Sequence, residues 1–565
     1  MKYPDLFDPD ISRIGLQESQ MYNLIAAKLV TEIVQTCLGP RGMDKMYIDI
    51  LGEDTLTSHG GAFLRKVDVD HPAAKAVVEG VNTVDTHVGD GTTTTAVLIG
   101  ALLYQAKELL KLGVPTTVIV KGYEKSLECA LETLDEIKTK SNRHDKKIMR
   151  QLLFTCLKGK AIFELNEDNE KFVDIIIDAI CSVTNFETGF IDIDDIKFEE
   201  KIGNSTEIEL IRGTVIDKTI DSSAMPRIIH NAKILLINES LEPMPMRGKT
   251  EAAIEITTPK QMSQFIKQED KDLLFLVNKI IASGANVVIS RKGVNEFVQE
   301  ALAKKGIITM RRVKYNDLWW VEKATGAKTC KSIEDISKEE LGFASKVYER
   351  TVGDDKMVFV EGNEPKSVTF LLRANSKRFL DEFHRNALNA FKVLRNFIED
   401  PFLVYGAGSV EGIIAQKIRN QAITVPGKEQ IVMERFAIAV EEIPFTLARN
   451  AGMDILDTTT QFRSKIATSN GKTPNWYGIN SNEREIFDVS TSEIIETAAV
   501  KYQVFKTAVE VTNMIVNVDD VFMKDLIDNT HCHIDGVVHA HHDGGKSHNH
   551  FEQEGLEQRQ MHQYY

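Results

Sequence analysis

Val88-Gly89-Asp90-Gly91-Thr92-Thr93-Thr94-Thr95 runs straight into an apolar helix expected from near Ala96, and the rest of this 565-residue chain can be read outward from it. Two glycines let backbone amides approach an anion, the threonines supply hydroxyl donors, and the N-terminus of the helix adds a positive partial charge. The stretch reads as a phosphate cradle, with Asp90 in its middle placed to hold a Mg²⁺ that bridges phosphates. A tight turn capped by Asp and Thr is the plainer alternative. It accounts for one or two of these residues but not readily for four consecutive threonines.

On both sides of the cradle the apolar rhythm is helical. From about Gln20 to Ile137 it includes Met21, Leu24, Ile25, Leu29, Ile33 and Val34, then Ala96, Leu98, Leu102, Ala106 and Leu109. The first helix is expected to stop at Leu38-Gly39-Pro40, a Gly-Pro turn placed to donate to the same anion but too common a sequence to mean much alone. Between Glu207 and Gly362 the rhythm changes to short β runs separated by helical ones, which indicates an inserted α/β domain. From Lys377 long helices return, with a third glycine turn, Gly406-Ala407-Gly408-Ser409, opening another helix that carries Glu411; alone it is a still weaker sign of a contact to a ribose or base. The order predicts one helical domain built from both chain ends around an α/β insertion.

Composition bounds the partners. The length suggests three or four domain-sized units, and a 42% hydrophobic, 27% charged chain is an ordinary globular one. With 68 Lys+Arg against 83 Asp+Glu, a net charge of -15 argues against nucleic acid or an anionic membrane as the main partner. No run nears the about 18 apolar residues of a membrane span, and the start lacks a signal-peptide pattern, so the expectation is cytoplasmic. Six scattered cysteines without a CxxC pair read as free thiols. Eight of the 14 histidines follow residue 530, in a tail expected to be disordered that is either solvated or able to hold Zn, Ni or Cu. The pair Trp319-Trp320 lies on an expected helix, where either one indole packs and the other sits on the rim, or an exposed indole makes an adhesive surface.

Taken together, LGPRGMDKM (38–46), DVDHPAAK (68–75), VGDGTTTT (88–95), LIRGTVIDK (210–218), ASGANVVISRKG (282–293), KKGIITMRRVK (304–314) and ATGAK (324–328) resemble a group II chaperonin subunit, of the archaeal thermosome and eukaryotic TRiC/CCT family. KMVFVEG (356–362), VYGAG (404–408), EIPFTLARNAG (442–452) and YGIN (477–480) extend the likeness in family order from about 15 to about 525. The resemblance implies a multidomain α and α/β chaperonin fold. Its parts are a helical equatorial ATPase domain (1–146 and 402–525), a small intermediate hinge domain (147–212 and 366–401) and an α/β apical domain (213–365) that grips clients and carries a helical lid protrusion at about 243–275. The tail, 526–565, lies beyond it. The likeness further implies an ATPase with ATP and Mg²⁺ as ligands, non-native client proteins as partners, and eight homologous subunits per ring in two stacked rings. By the same likeness, Leu38, Gly39 and Pro40 form the first phosphate turn, Asp90 binds Mg²⁺, and Gly91, Thr92, Thr93 and Thr94 cradle phosphate. Lys160 senses the terminal phosphate, while Gly406, Gly408 and Glu496 contact the nucleoside.

Two departures bear on hydrolysis. Where the family carries an Asp that positions the attacking water from a long intermediate-domain helix, this chain has Asn389, whose amide orients water but accepts no proton. The family's Asn-Asp-Gly turn is here Ser58-His59-Gly60, so an imidazole replaces a carboxylate; it is either a neutral base or without a catalytic part. ATP binding with weakened hydrolysis is expected. The alternative function is a ring subunit that binds ATP, turns over slowly or not at all, and serves assembly or client contact in a hetero-oligomer. Milder changes are Ala407 and Asn480, and Asp400, eleven residues after Asn389, is expected to end its helix before Pro401.

Overall fold

A computed structural model of the protein describes residues 11–50, 52, 54–160, 169–203, 207–242, 258–363, 365–467, 475–524, 530–532 and 538–540. The chain divides into two compact units, Met1–Tyr22 with Val518–Tyr565, and Asn23–Asn517. In the smaller, Ile11–Gly15 pairs antiparallel with Asp520–Lys524, and Thr530–Cys532 with Val538–Ala540. That second ladder is all that is described of the tail expected at 526–565. The metal-binding reading of the tail otherwise falls outside the described residues.

In the larger unit, helices from both ends of the chain share one core. Leu24, Ala27 and Val34, Val77 and Val81 of Pro72–His87, Leu98, Leu102 and Ala106 of Thr92–Lys111, and Ala130 and Leu134 of Thr116–Ile137 pack with Ile414 and Ile418 of Ser409–Ala422, Phe436 and Val440 of Lys428–Asn450, and Val504, Phe505 and Ala508 of Ala498–Val516. Burying each large aliphatic or aromatic side chain contributes about 2 kcal/mol, so the two ends are joined by many such contacts.

A second core joins Met149, Leu153, Ile176 and Ile180 to Phe370, Phe391, Leu394 and Phe397. Its long helix, Lys377–Glu399, is capped at Ser376, whose hydroxyl accepts from the Phe379 amide, and ends at Asp400, extended as a residue before proline must be.

The insertion is α/β, as its rhythm indicated. A seven-stranded mixed sheet runs in the order Ile308–Met310, Val287–Ser290, Ile228–Ile237, Gly342–Val352, Asp355–Gly362, Gly213–Ile216, with Thr329–Cys330 also on Ile228–Ile237. Alternate residues of one strand serve different cores: Ile234 and Leu236 pack on one face, Leu235 and Ile237 on the other. Both faces being covered explains the unbroken apolar run ILLI. Residues 243–257 of the expected lid lie outside the described residues. Pro259–Ser283 is a 25-residue helix opened by a Thr258–Gln261 capping box.

On the helix Tyr315–Thr325, Trp319 and Trp320 are both half-buried and meet edge to face at 4.8 Å, with Lys323 Nζ 4.2 Å from the Trp319 ring centre. Neither indole stands free. Cys37, Cys129, Cys156, Cys181 and Cys330 are free thiols. Among the described residues no helix is long and apolar enough to cross a membrane.

Candidate functional site

Gly91 caps the Thr92–Lys111 helix in a left-handed conformation, φ 77°, and, as glycine, offers no side-chain cap to the amides of the first turn. A Cβ there would lie 2.8 Å from Val504 and 2.9 Å from Val500, so both backbone angle and space demand glycine. Uncapped amides at the positive end of a helix, beside three threonine hydroxyls, have the chemistry to receive an anion. The fourth threonine belongs to the helix instead: Thr95 Oγ1 donates to Gly91 O at 2.9 Å.

Facing the cradle is the Leu38-Gly39-Pro40 turn, with Gly39 at φ 84°. Gly159 packs onto it so closely that a Cβ would come within 2.6 Å of Pro40 Cα, and this contact brings Lys160 over the turn. Burial works against the Lys160 ammonium. Cys156, Asp90, Glu382 and Asp85 outweigh that and hold its pKa above the ordinary value. These segments, together with Gly408, Asn480 and Glu496, enclose a cavity of about 620 Å³, large enough for a nucleotide.

Leu38, Gly39, Pro40, His59, Asp90, Gly91, Thr92, Thr93, Thr94, Lys160, Gly408 and Glu496 all line it. Gly406 and Asn389 are not among the lining residues. Gly406 stands behind Glu496, its amide donating to Ile494 O at 3.1 Å, and Asn389 is buried on the Lys377–Glu399 helix. Ala407 lines the cavity in a left-handed conformation, φ 56°, and its carbonyl accepts from the Ile479 amide at 2.9 Å.

His59 caps the short helix Gly60–Lys66: its Nδ1 accepts the Ala62 amide at 3.2 Å. Burial first, then the charge of Lys160, keeps the ring from protonating, against the opposing pull of Asp85. A neutral ring whose Nδ1 accepts must carry its hydrogen on Nε2. That N–H points to Thr92 Oγ1 at 3.3 Å, with Asp85 Oδ1 at 3.7 Å. With one nitrogen accepting a backbone amide and the other bearing hydrogen, the ring has no free lone pair for a water proton.

The donor set suits Mg²⁺ held jointly with phosphates. Asp90 offers one carboxylate, and among the described residues no cluster of three or more His, Cys, Asp or Glu forms a metal cage. Mg²⁺ favours this: it keeps several waters and is bound through one or two carboxylates plus substrate phosphates, whose charge it neutralises.

A model of the TCP-1/cpn60 chaperonin family matches residues 30–525. The chain belongs to that family. It is 40% identical over 509 residues to a thermosome subunit of Pyrococcus abyssi, covering 89% of this chain and 91% of the relative. It is 40% identical over 511 residues to thermosome subunit alpha of Aeropyrum pernix (89% and 91%), and 39% identical over 528 residues to thermosome subunit alpha of Sulfolobus acidocaldarius (91% and 94%). The likeness to a group II chaperonin subunit is borne out, and with it the chaperone role.

Two features of this chaperonin's site escaped the motifs. Lys501 lines the cavity from the Ala498–Val516 helix, and three donors of the Lys377–Glu399 helix grip the chain just before the cradle. Lys392 Nζ donates to Asp85 O (2.8 Å), Arg395 to His87 O (2.6 Å) and Asn396 Nδ2 to Val88 O (2.8 Å). The carbonyls at the end of Pro72–His87 carry no sequence signature of their own, so no motif could have revealed this grip.

Proposed function

We propose that this chaperonin subunit binds ATP with Mg²⁺ in the cavity between Leu38-Gly39-Pro40, Asp90 to Thr94, Lys160, Gly408 and Glu496, and that nucleotide turnover drives enclosure and folding of non-native proteins in two stacked rings of eight homologous subunits. The observation that carries this reading is the convergence on one cavity of segments spread from residue 38 to residue 496, each bearing a group suited to part of a nucleotide. In this reading the equatorial domain is 1–146 with 402–525, the intermediate 147–212 with 366–401 and the apical 213–365 with a lid at about 243–275; distinct apolar cores among residues 24–137 with 404–516, 149–196 with 368–403, and 216–360 support the three-part plan.

Hydrolysis is slow in this reading. Asn389 and His59 occupy the places of two family carboxylates, and the His59 ring, engaged at both nitrogens, does not substitute as a base. A missing general base costs about 10²- to 10⁴-fold. ATP turnover should therefore rise at least about tenfold in the double variant His59→Asp, Asn389→Asp, measured by single-turnover ATPase on assembled particles whose stacked rings are checked by negative stain. A parent that already matches the double variant refutes slow hydrolysis, and a parent that neither binds nor hydrolyses ATP refutes the site.

A further inference from the structure

Three parallel strands of the α/β insertion, Ile228–Ile237, Val287–Ser290 and Ile308–Met310, end at one edge of its sheet. The loops that follow are tied together there. The Arg291 amide donates to Ile237 O at 2.9 Å, the Arg312 amide to Lys292 O at 3.1 Å and the Val313 amide to Ser290 O at 3.1 Å. Buried Ser290 stiffens the first loop, its hydroxyl accepting the Lys292 amide at 3.2 Å. This backbone displays Arg291, Lys292, Arg311, Arg312 and Lys314, all exposed, beside an exposed Tyr315. Lys314 is the N-cap of Tyr315–Thr325 and its side chain makes no capping bond, so the positive end of that helix adds to the patch.

Little within the chain neutralises these charges. Arg311 Nε lies 3.6 Å from Asp221 Oδ1, too far for a good hydrogen bond, and Arg291 donates to Asn238 Oδ1 at 3.2 Å with its guanidinium 5.3 Å from the centre of the Tyr315 ring. Asp317, in the first turn of the helix, is taken by Lys197 at 2.8 Å, and Glu242, against Gly293, accepts from Ser240 at 2.8 Å. Among the described residues, Lys292, Arg312 and Lys314 pair with no carboxylate. Arg312 moreover holds its charge in a left-handed conformation, φ 52°, where glycine would relax the backbone.

We propose that this edge, through Lys292, Arg312 and Lys314, is a docking surface for acidic peptide segments, carboxylate-rich stretches of the non-native chains that the subunit grips. The inference rests on that client reading and names the class of segment taken up. Small anions are held in concave sites, whereas these cations are exposed on two cross-linked loops and suit charges strung along an extended chain. A nucleic acid, whose phosphates run far beyond one patch, meets a protein of net charge -15; a short acidic segment needs only the patch, because charges beyond about 10 Å are screened. An exposed ion pair is worth up to about fivefold in affinity, so three acting together give about tenfold.

The test is fluorescence anisotropy of a labelled Glu-Ser-Gly repeat peptide and its Gln-Ser-Gly counterpart on the full-length protein. The parent should prefer the Glu peptide by about tenfold, and the preference should fade as salt rises from about 0.05 M to about 0.5 M. The triple variant Lys292→Gln, Arg312→Gly, Lys314→Gln should lose it. Arg312→Gly alone relieves the backbone, so it carries the test if the triple variant does not fold; it should weaken the Glu peptide about threefold without lowering the melting temperature, while Arg312→Lys keeps the preference. Equal binding of the two peptides by the parent, or an intact preference in the folded triple variant, overturns the proposal. So does a single-stranded oligonucleotide that binds the patch more tightly than the Glu peptide at the same salt. A parent that prefers the Glu peptide but captures no denatured protein upholds the patch and overturns instead the client reading beneath it.

Discussion

Both ring nitrogens of His59 are committed to the fold, one to the Ala62 amide and the other to Thr92, and this has a thermodynamic signature. The native pKa is lowered by burial, so below the ordinary value of about 6.5 the unfolded chain binds a proton that the native state refuses. Stability from the neutral ring is present above that pH and lost as pH falls; at pH 5 the loss is about 2 kcal/mol relative to pH 8. His59→Asn retains an oxygen that can accept the Ala62 amide but has nothing to titrate. Denaturant midpoints at the two pH values should therefore drop more for the parent than for the variant, and equal drops would mean that His59 is solvated rather than built in. Sequence identified the residue and its oddity. Its tautomer came from the cap geometry alone, because the backbone amide that fixes Nδ1 follows from where the Gly60–Lys66 helix starts.

At the scale of elements, the Lys377–Glu399 helix is tied to the cradle by its middle and final turns rather than by Asn389. Lys392, Arg395 and Asn396 take the carbonyls of Asp85, His87 and Val88, which a helix C-terminus leaves without intrahelical partners. Any movement of the long helix relative to the glycine–threonine turn must carry these bonds along or break them. Asn396→Ala leaves a buried carbonyl unsatisfied and should cost about 1 to 2 kcal/mol of stability. It should also weaken ADP affinity, because the Gly89-Asp90-Gly91 turn loses its clamp. Calorimetric binding and thermal melting of the same preparation separate the two effects, and unchanged ADP affinity would show that the grip is structural only. The amphipathic pattern predicted this helix and its end before Pro401, yet three-residue spacings do not reveal which carbonyls a polar face will meet.

At the scale of the whole molecule, the α/β insertion is pinned to the core beneath it by a buried ion pair. Lys197, on the strand Ile196–Ile202, donates to Val215 O at 2.6 Å and to Asp317 at 2.8 Å, with Glu199 at 3.3 Å, and the Lys323–Asp195 pair lies nearby. Removing one partner of a buried pair strands the other, at a cost of about 3 kcal/mol. Lys197→Met should thus lower the unfolding midpoint and split one calorimetric transition into two, as the insertion melts apart from the helical core. A single unshifted transition would show that apolar packing alone joins them. The net charge of -15 gave no hint of this pin, since Lys197 is one cation among 68 Lys+Arg.

The sequence by itself determined the order of helical and α/β segments, the glycine–threonine turn read as a phosphate cradle, and the family, because periodicity, glycine turns and motif order are local properties of the chain. Which residues serve the cradle together was decided by tertiary structure: Lys501 joining Glu411 to Glu496, Lys392 to Asn396 clasping the turn, and the fourth threonine turning back into its helix. The physical reason is that a buried charge or an open carbonyl must find its partner wherever packing places one, and packing brings residues 411, 496 and 501, or 85 and 392, into contact across distances that no local pattern records.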